Sequence, residues 1–196
     1  LKACAGCDAI CATHPFDRFI HYAIYTHYGR LREVLQFALK SGHPEAAANA
    51  ARQIALAELG DDALAIDASG IRSGSETMRK AAADVYATNL SHDVVGDKCA
   101  ERLEVFFADE SEAVRQEVST AFFSLSGERL LQLKDFIARF IESRCFETET
   151  DGLLHALKES NVELPLIICR AAERILEFLG EEGTNIANRG AITAHD

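Results

Sequence analysis

The sequence predicts an all-α fold of about five stacked helical pairs. Three observations carry this. Apolar residues recur with helical period through most of the 196 residues, and no stretch alternates as a strand does. The breaks between periodic stretches are short and built from Gly, Pro, Ser and Asp. Three stretches that open alike, PEAAANAA from Pro44, SETMRKAA from Ser75 and SEAVRQEV from Ser111, lie 31 and 36 residues apart. That is the spacing of helical-pair repeats.

The clearest unit is Ser111 to Phe140. Ser111 is placed to cap a helix, and Glu112 favours its positive end. Val114, Val118, Ala121 and Phe122 then share one face. Ser126-Gly127 reads as the break, with Gly supplying a left-handed backbone. Leu130, Leu133, Phe136, Ile137, Phe140 and Ile141 form a second stripe. Two helices this short cannot bury both stripes against each other, so each needs neighbours of the same kind.

The remaining elements follow in order. Residues 1–14 carry Cys4, Cys7, Cys11 and His14 as one helical stripe among alanines. Pro15 opens a helix with Phe16, Phe19, Ile20, Ala23 and Ile24 on one side. A helix from Leu31 buries Val34, Leu35 and Leu39 and closes at Gly42. Pro44 opens an alanine-rich helix to Gly60, and Asp61-Asp62 cap a short helix, ALAIDA. Gly70 to Ser75 reads as a loop. Ser75 caps a helix with Met78, Ala82, Val85 and Tyr86 inward. Ser91 or Asp93 begins the next, with Val95, Cys99, Leu103 and Phe106 on one face. Glu147 to Asp151 reads as a polar loop, with Asp151 capping GLLHALKES. The most apolar helix runs from Leu164 to Gly180. Residues 1–180 thus form a single helical-repeat domain, and 181–196 a tail or the edge of a further element. A start at Leu1 inside a helix reads as a piece of a longer chain.

Composition narrows the function. Hydrophobic residues make up 48%, which suits an ordered chain. The net charge is −11, and residues 101–196 hold ten basic against nineteen acidic side chains. An acidic surface repels phosphate, so nucleic acid is not an expected partner. No run is long and apolar enough for a membrane span. Six cysteines without secretory features suggest reduced thiols and a cytoplasmic setting.

Asp109-Glu110-Ser111-Glu112-Ala113-Val114-Arg115 resembles the start of a HEAT-type unit, in which an acidic turn precedes a Val-Arg pair. Ser75-Glu76-Thr77-Met78-Arg79 is a poorer copy, and Pro44-Glu45-Ala46-Ala47-Ala48 lacks the Arg. This likeness, over residues 30–180, implies a right-handed α-α superhelix of the HEAT/armadillo-like kind. The order of segments from His14 through the SEAVRQEV unit is also similar to the C-terminal regions of bacterial STAND-type NTPases. That resemblance implies a sensor that binds a foreign protein, commonly a viral one, and triggers oligomerisation. The chain itself carries no G-x-x-x-x-G-K-[ST] motif.

The chemistry-bearing residues give no catalytic site and call for no cofactor. Cys4, Cys7, Cys11 and His14 are zinc-ligand types, but on one helix they span about 15 Å at roughly 1.5 Å per residue. Converging on one ion would unwind the helix, so small-residue packing is the expected role. Cys4 and Cys7 have C-x-x-C spacing without the preceding strand of redox folds. A metal or thiol-redox protein is thus the rival from another class, and a general HEAT-type adaptor the nearer one. His21 and His27 with Asp17 are expected to pack, and His155 to pack or face solvent. The expected partner surface is polar positions on the second helix of each pair: Lys98, Glu101, Arg102, then Lys134, Asp135 and Arg139.

Overall fold

A computed structural model describes residues 28–60, 69–160 and 164–193. The regular elements among the described residues are all helical, with no strand. In chain order the helices are α1 Tyr28–Leu39, α2 Pro44–Gly60, α3 Ser69–Arg72, α4 Glu76–Thr88 and α5 Gly96–Leu103. They continue as α6 Glu112–Thr120, α7 Gly127–Gln132, α8 Lys134–Ile141, α9 Arg144–Thr148, α10 Asp151–Glu159 and α11 Pro165–Thr193. Short 3₁₀ turns extend α5 (Glu104–Phe106) and α6 (Ala121–Ser124).

Local chemistry sets most of the ends. Gly42 lies at φ +77°, the left-handed backbone that stops α1. Ser75 and Ser111 are extended and accept from the backbone N–H of Met78 and Val114. Ser126 caps α7 in the same way through Arg129 N. The expected left-handed Gly127 is therefore corrected: it is the first residue of α7, and the chain turns at an extended Leu125.

Other boundaries differ too. The stripe from Leu130 to Ile141 belongs to two helices parted at Leu133, although Ile137 N still donates to Leu133 O. Ser69–Arg72 is helical where a loop was expected. The expected polar loop at 147–151 is shortened to Glu149 and Thr150, because α9 runs through Thr148 with Cys145 and Phe146 buried. Asp151 lies inside α10, whose N-cap is Thr150. The last helix does not end at Gly180, since one helical Gly costs only about 1 kcal/mol. The stripes at residues 1–27 and the ALAIDA helix at 61–68 lie outside the described residues.

Helices α2, α4, α6 and α10 pack in succession, α10 meeting the end of α6. On the other side the turn after α5 meets α8, and α8 meets α11. Between them lies a phenylalanine cluster. Phe122 and Phe140 are 4.6 Å apart by ring centroid, Phe107 and Phe140 5.4 Å, and Phe140 and Phe146 5.8 Å. The contacts are tilted or edge-on, as ring quadrupoles favour. Gly152 lets α10 approach α6, since a Cβ there would strike Ser119 O.

Polar side chains bridge successive elements. Arg79 forks onto Asp109 (Nε to Oδ2 2.7 Å, Nη2 to Oδ1 3.1 Å). Arg115, buried in α6, donates to Asp109 O (2.8 Å), Glu110 O (3.0 Å) and Thr148 Oγ1 (3.1 Å). Arg129 donates to Leu90 O (3.2 Å) and Asp97 Oδ1 (2.8 Å). Replacing Arg115 by Met keeps the stem and strips two carbonyls of their donor. Equilibrium urea unfolding of Arg115→Met is expected to show a loss of about 2–3 kcal/mol.

Candidate protein-interaction surface

The partner-facing positions expected from the sequence fall on two helices linked through the turn after α5. Lys98, Glu101 and Arg102 lie on α5, and Lys134, Asp135 and Arg139 on α8. Glu101, Lys134 and Asp135 are exposed, while Lys98 and Arg102 are half-buried. The buried stripes of these helices, with Cys99 and Leu103 on one and Phe136, Ile137 and Phe140 on the other, hold the polar positions outward.

Arg139 and Arg102 pair with glutamates on other elements. Arg139 reaches back to Glu104 on the turn after α5, and that hydrogen bond raises its pKa further. Arg102 lies 3.5 Å from Glu58, which also accepts from the Tyr86 hydroxyl at 2.6 Å. Burial first, and then Glu58, push the Tyr86 hydroxyl well above its ordinary value. Arg102 therefore ties α5 to α2, and Arg139 ties α8 to α5. Sequence periodicity puts both on the solvent side and cannot show these partners.

The same accounting covers most cations of the described surface. Arg52 pairs with Asp84, Lys80 with Glu117, Arg170 with Glu142, and Arg174 with Glu147 and Glu177. In an acidic chain this leaves carboxylates as the dominant unpaired charge. Glu149 shows the result: burial, and then Glu112, raise its pKa, against the opposing pull of Arg115.

Periodicity also missed exposed apolar groups. Phe123 is 52% exposed and stacks on exposed His155, centroids 5.2 Å apart. Helix α11 exposes Leu166, Ile168, Leu176 and Leu179. The signal was present, because the apolar arc of α11 is wider than one packed face needs.

A groove of about 740 Å³ opens where α1, α2 and the turn before α4 meet, lined by Lys40, His43, Ser73, Thr77 and Met78 among others, with no carboxylate or cysteine. No group of three His, Cys, Asp or Glu side chains fit to hold a metal occurs among the described residues. Cys4, Cys7, Cys11 and His14, with Asp17, His21 and His27, lie outside them. No described helix is long and apolar enough to cross a membrane. Comparison with known proteins finds no matching family model, no matching curated protein and no matching solved structure.

The described cysteines divide by reactivity. Burial pushes the thiols of Cys99 and Cys145 up to about 12, and Cys145 Sγ donates to Arg115 O. Cys169 is exposed. Iodoacetamide labelling of the native protein near pH 8, read by peptide mass spectrometry, is expected to modify Cys169 and spare Cys99 and Cys145.

Proposed function

We propose that this chain is a non-enzymatic recognition segment built as a right-handed HEAT/armadillo-like superhelix of about five helical pairs. It works in the cytoplasm as the sensor region of a bacterial STAND-type antiviral NTPase and binds a foreign protein, with oligomerisation driven by the rest of that protein. The observation that carries the reading is the recurring distance between bridging side chains. Arg79 and Asp109 are 30 residues apart, Arg115 and Thr148 33, Arg129 and Asp97 32, and Arg139 and Glu104 35. Bridges spanning 30 to 35 residues, alongside others from 27 to 44, are in the range that stacked helical pairs produce. Two successions of packed helices support the same reading. The antiviral assignment rests on the order of sequence segments alone.

The α5–α8 row is the partner surface in this account. Its exposed Glu101, Lys134 and Asp135 are the side chains available for contact, with Lys98 at its edge. Arg139 keeps the row in register, and Arg102 anchors α5 on α2. A general scaffold of the same architecture is the second reading, since stacked helical pairs serve adaptors as readily as sensors.

A pull-down separates the two. The 196-residue chain serves as bait against lysates of virus-infected and uninfected bacteria, read by mass spectrometry. A viral protein captured only from infected cells, and lost with Lys134→Glu, is the expected result. A host protein captured equally from both would replace the sensor by the scaffold.

A further inference from the structure

The groove of about 740 Å³ is bounded by the end of α1, the start of α2, the turn from Gly70 to Ser75 and the start of α4. That volume lies in the range of small-molecule sites. Its walls are held in place. Arg79 Nη1 donates to Gly74 O at 2.6 Å, and Gly74 N donates to Ile71 O at 3.0 Å, which fixes the turn. The Ser41 hydroxyl donates to Ala38 O at 2.8 Å and accepts from His43 N at 3.3 Å, which fixes the corner between α1 and α2. A Cβ added at Gly42 or Gly70 would meet nothing within 4 Å, so the space beside both is open.

The lining divides by polarity. Ala47 and Met78 are buried and Leu39 half-buried, so together they make an apolar floor. Met78 is its adaptable part. Lys40 and Thr77 are exposed at the rim, and Lys40 has no ion pair among the described residues. Ser75 Oγ accepts from Met78 N, which leaves its hydroxyl proton to donate. The local charge runs against that of the chain, which is −11 overall. Helices α2 and α4 each carry a first-turn glutamate, Glu45 and Glu76, yet both are exposed and neither is part of the lining. Lys40 and the partial positive charge of the two helix starts therefore meet no carboxylate of the described lining.

We propose that this groove binds a small organic anion with a compact apolar body. The apolar body rests on Leu39, Ala47 and Met78, and the anionic group lies at Lys40, Ser75 and Thr77. Burial on the floor supplies affinity, and the rim selects the sign of the ligand. The floor is too short for a long acyl chain and suits a fused ring. The site is separate from the α5–α8 row and does not depend on the antiviral assignment.

The test titrates the full chain into two fluorescent probes at physiological salt. One is anilinonaphthalene sulfonate, and the other is phenylnaphthylamine, the same ring system without the sulfonate. Thr77→Asp places a carboxylate on the rim. In the first turn of α4 an acidic residue favours the helix, so lost binding is not lost folding. The sulfonate is expected to bind at least about tenfold more tightly than the uncharged probe. Thr77→Asp is expected to weaken the sulfonate by about tenfold or more and to leave the uncharged probe within about twofold, and Lys40→Gln to weaken the sulfonate by about fivefold. Leu176→Asp, on an exposed apolar position of α11, should change nothing, and palmitate should not displace the probe. Equal binding of the two probes, binding of neither, or sulfonate binding unaffected by Thr77→Asp and Lys40→Gln overturns the proposal. Loss of binding in Leu176→Asp overturns it too, by placing the probe on α11, and displacement by palmitate overturns the compact ligand.

Discussion

Asp109 is the point on which the stacking of α4 against α6 depends. Its carboxylate takes both arms of the Arg79 fork and also accepts the Ser111 N–H at 2.9 Å. Its backbone carbonyl accepts from Arg115. One residue thus joins the start of α4, the cap of α6 and, through Arg115, the turn at Thr148. The Asp109 side chain is only 7% exposed. Burying such a pair gives little net stability compared with an apolar replacement, but leaving one charge alone is costly. Its effect is on register: helices that slide past each other must break the fork.

The apolar core leaves that register open. Alanine-rich α2 and α4 can approach closely, yet small side chains offer few ridges to fix an offset. The phenylalanine cluster locks the middle of the chain more firmly, with Phe122, Phe140 and Phe146 fully buried. Arg129 adds a second polar fix. Its guanidinium lies where a Cβ on Gly96 would be and reaches Leu90 O and Asp97, holding α5 and α7 at one separation. The division of labour is apolar burial for stability and guanidinium bridges for offset. The bridges also consume most cations of the described surface, which is why its spare charge is acidic.

Much of the helical pattern was legible because periodicity is local. Val114, Val118, Ala121 and Phe122, and the six residues from Leu130 to Ile141, are all buried as their spacing required. The caps at Ser75 and Ser111 were legible for the same reason. What failed depends on contacts from afar. Helix α9 forms around Cys145 and Phe146, and the surrounding polar residues hid it. Ser126-Gly127 looked like a helix end, since Gly serves at either end and only the backbone angle distinguishes them. At the surface, Glu101, Lys134 and Asp135 are outward as expected. Arg102 and Arg139 are tied down by glutamates on other elements, which no local pattern reveals.

The claim that guanidinium bridges couple neighbouring units is tested most directly by a double-mutant cycle at Arg79 and Asp109. Unfolding free energies would be measured for Arg79→Met, Asp109→Leu and the double variant. The account predicts a coupling of about 2 kcal/mol or more, with the double variant less damaged than the sum of the singles. A coupling within about 0.5 kcal/mol of zero would mean that the two side chains act independently, and that apolar packing alone sets how α4 meets α6.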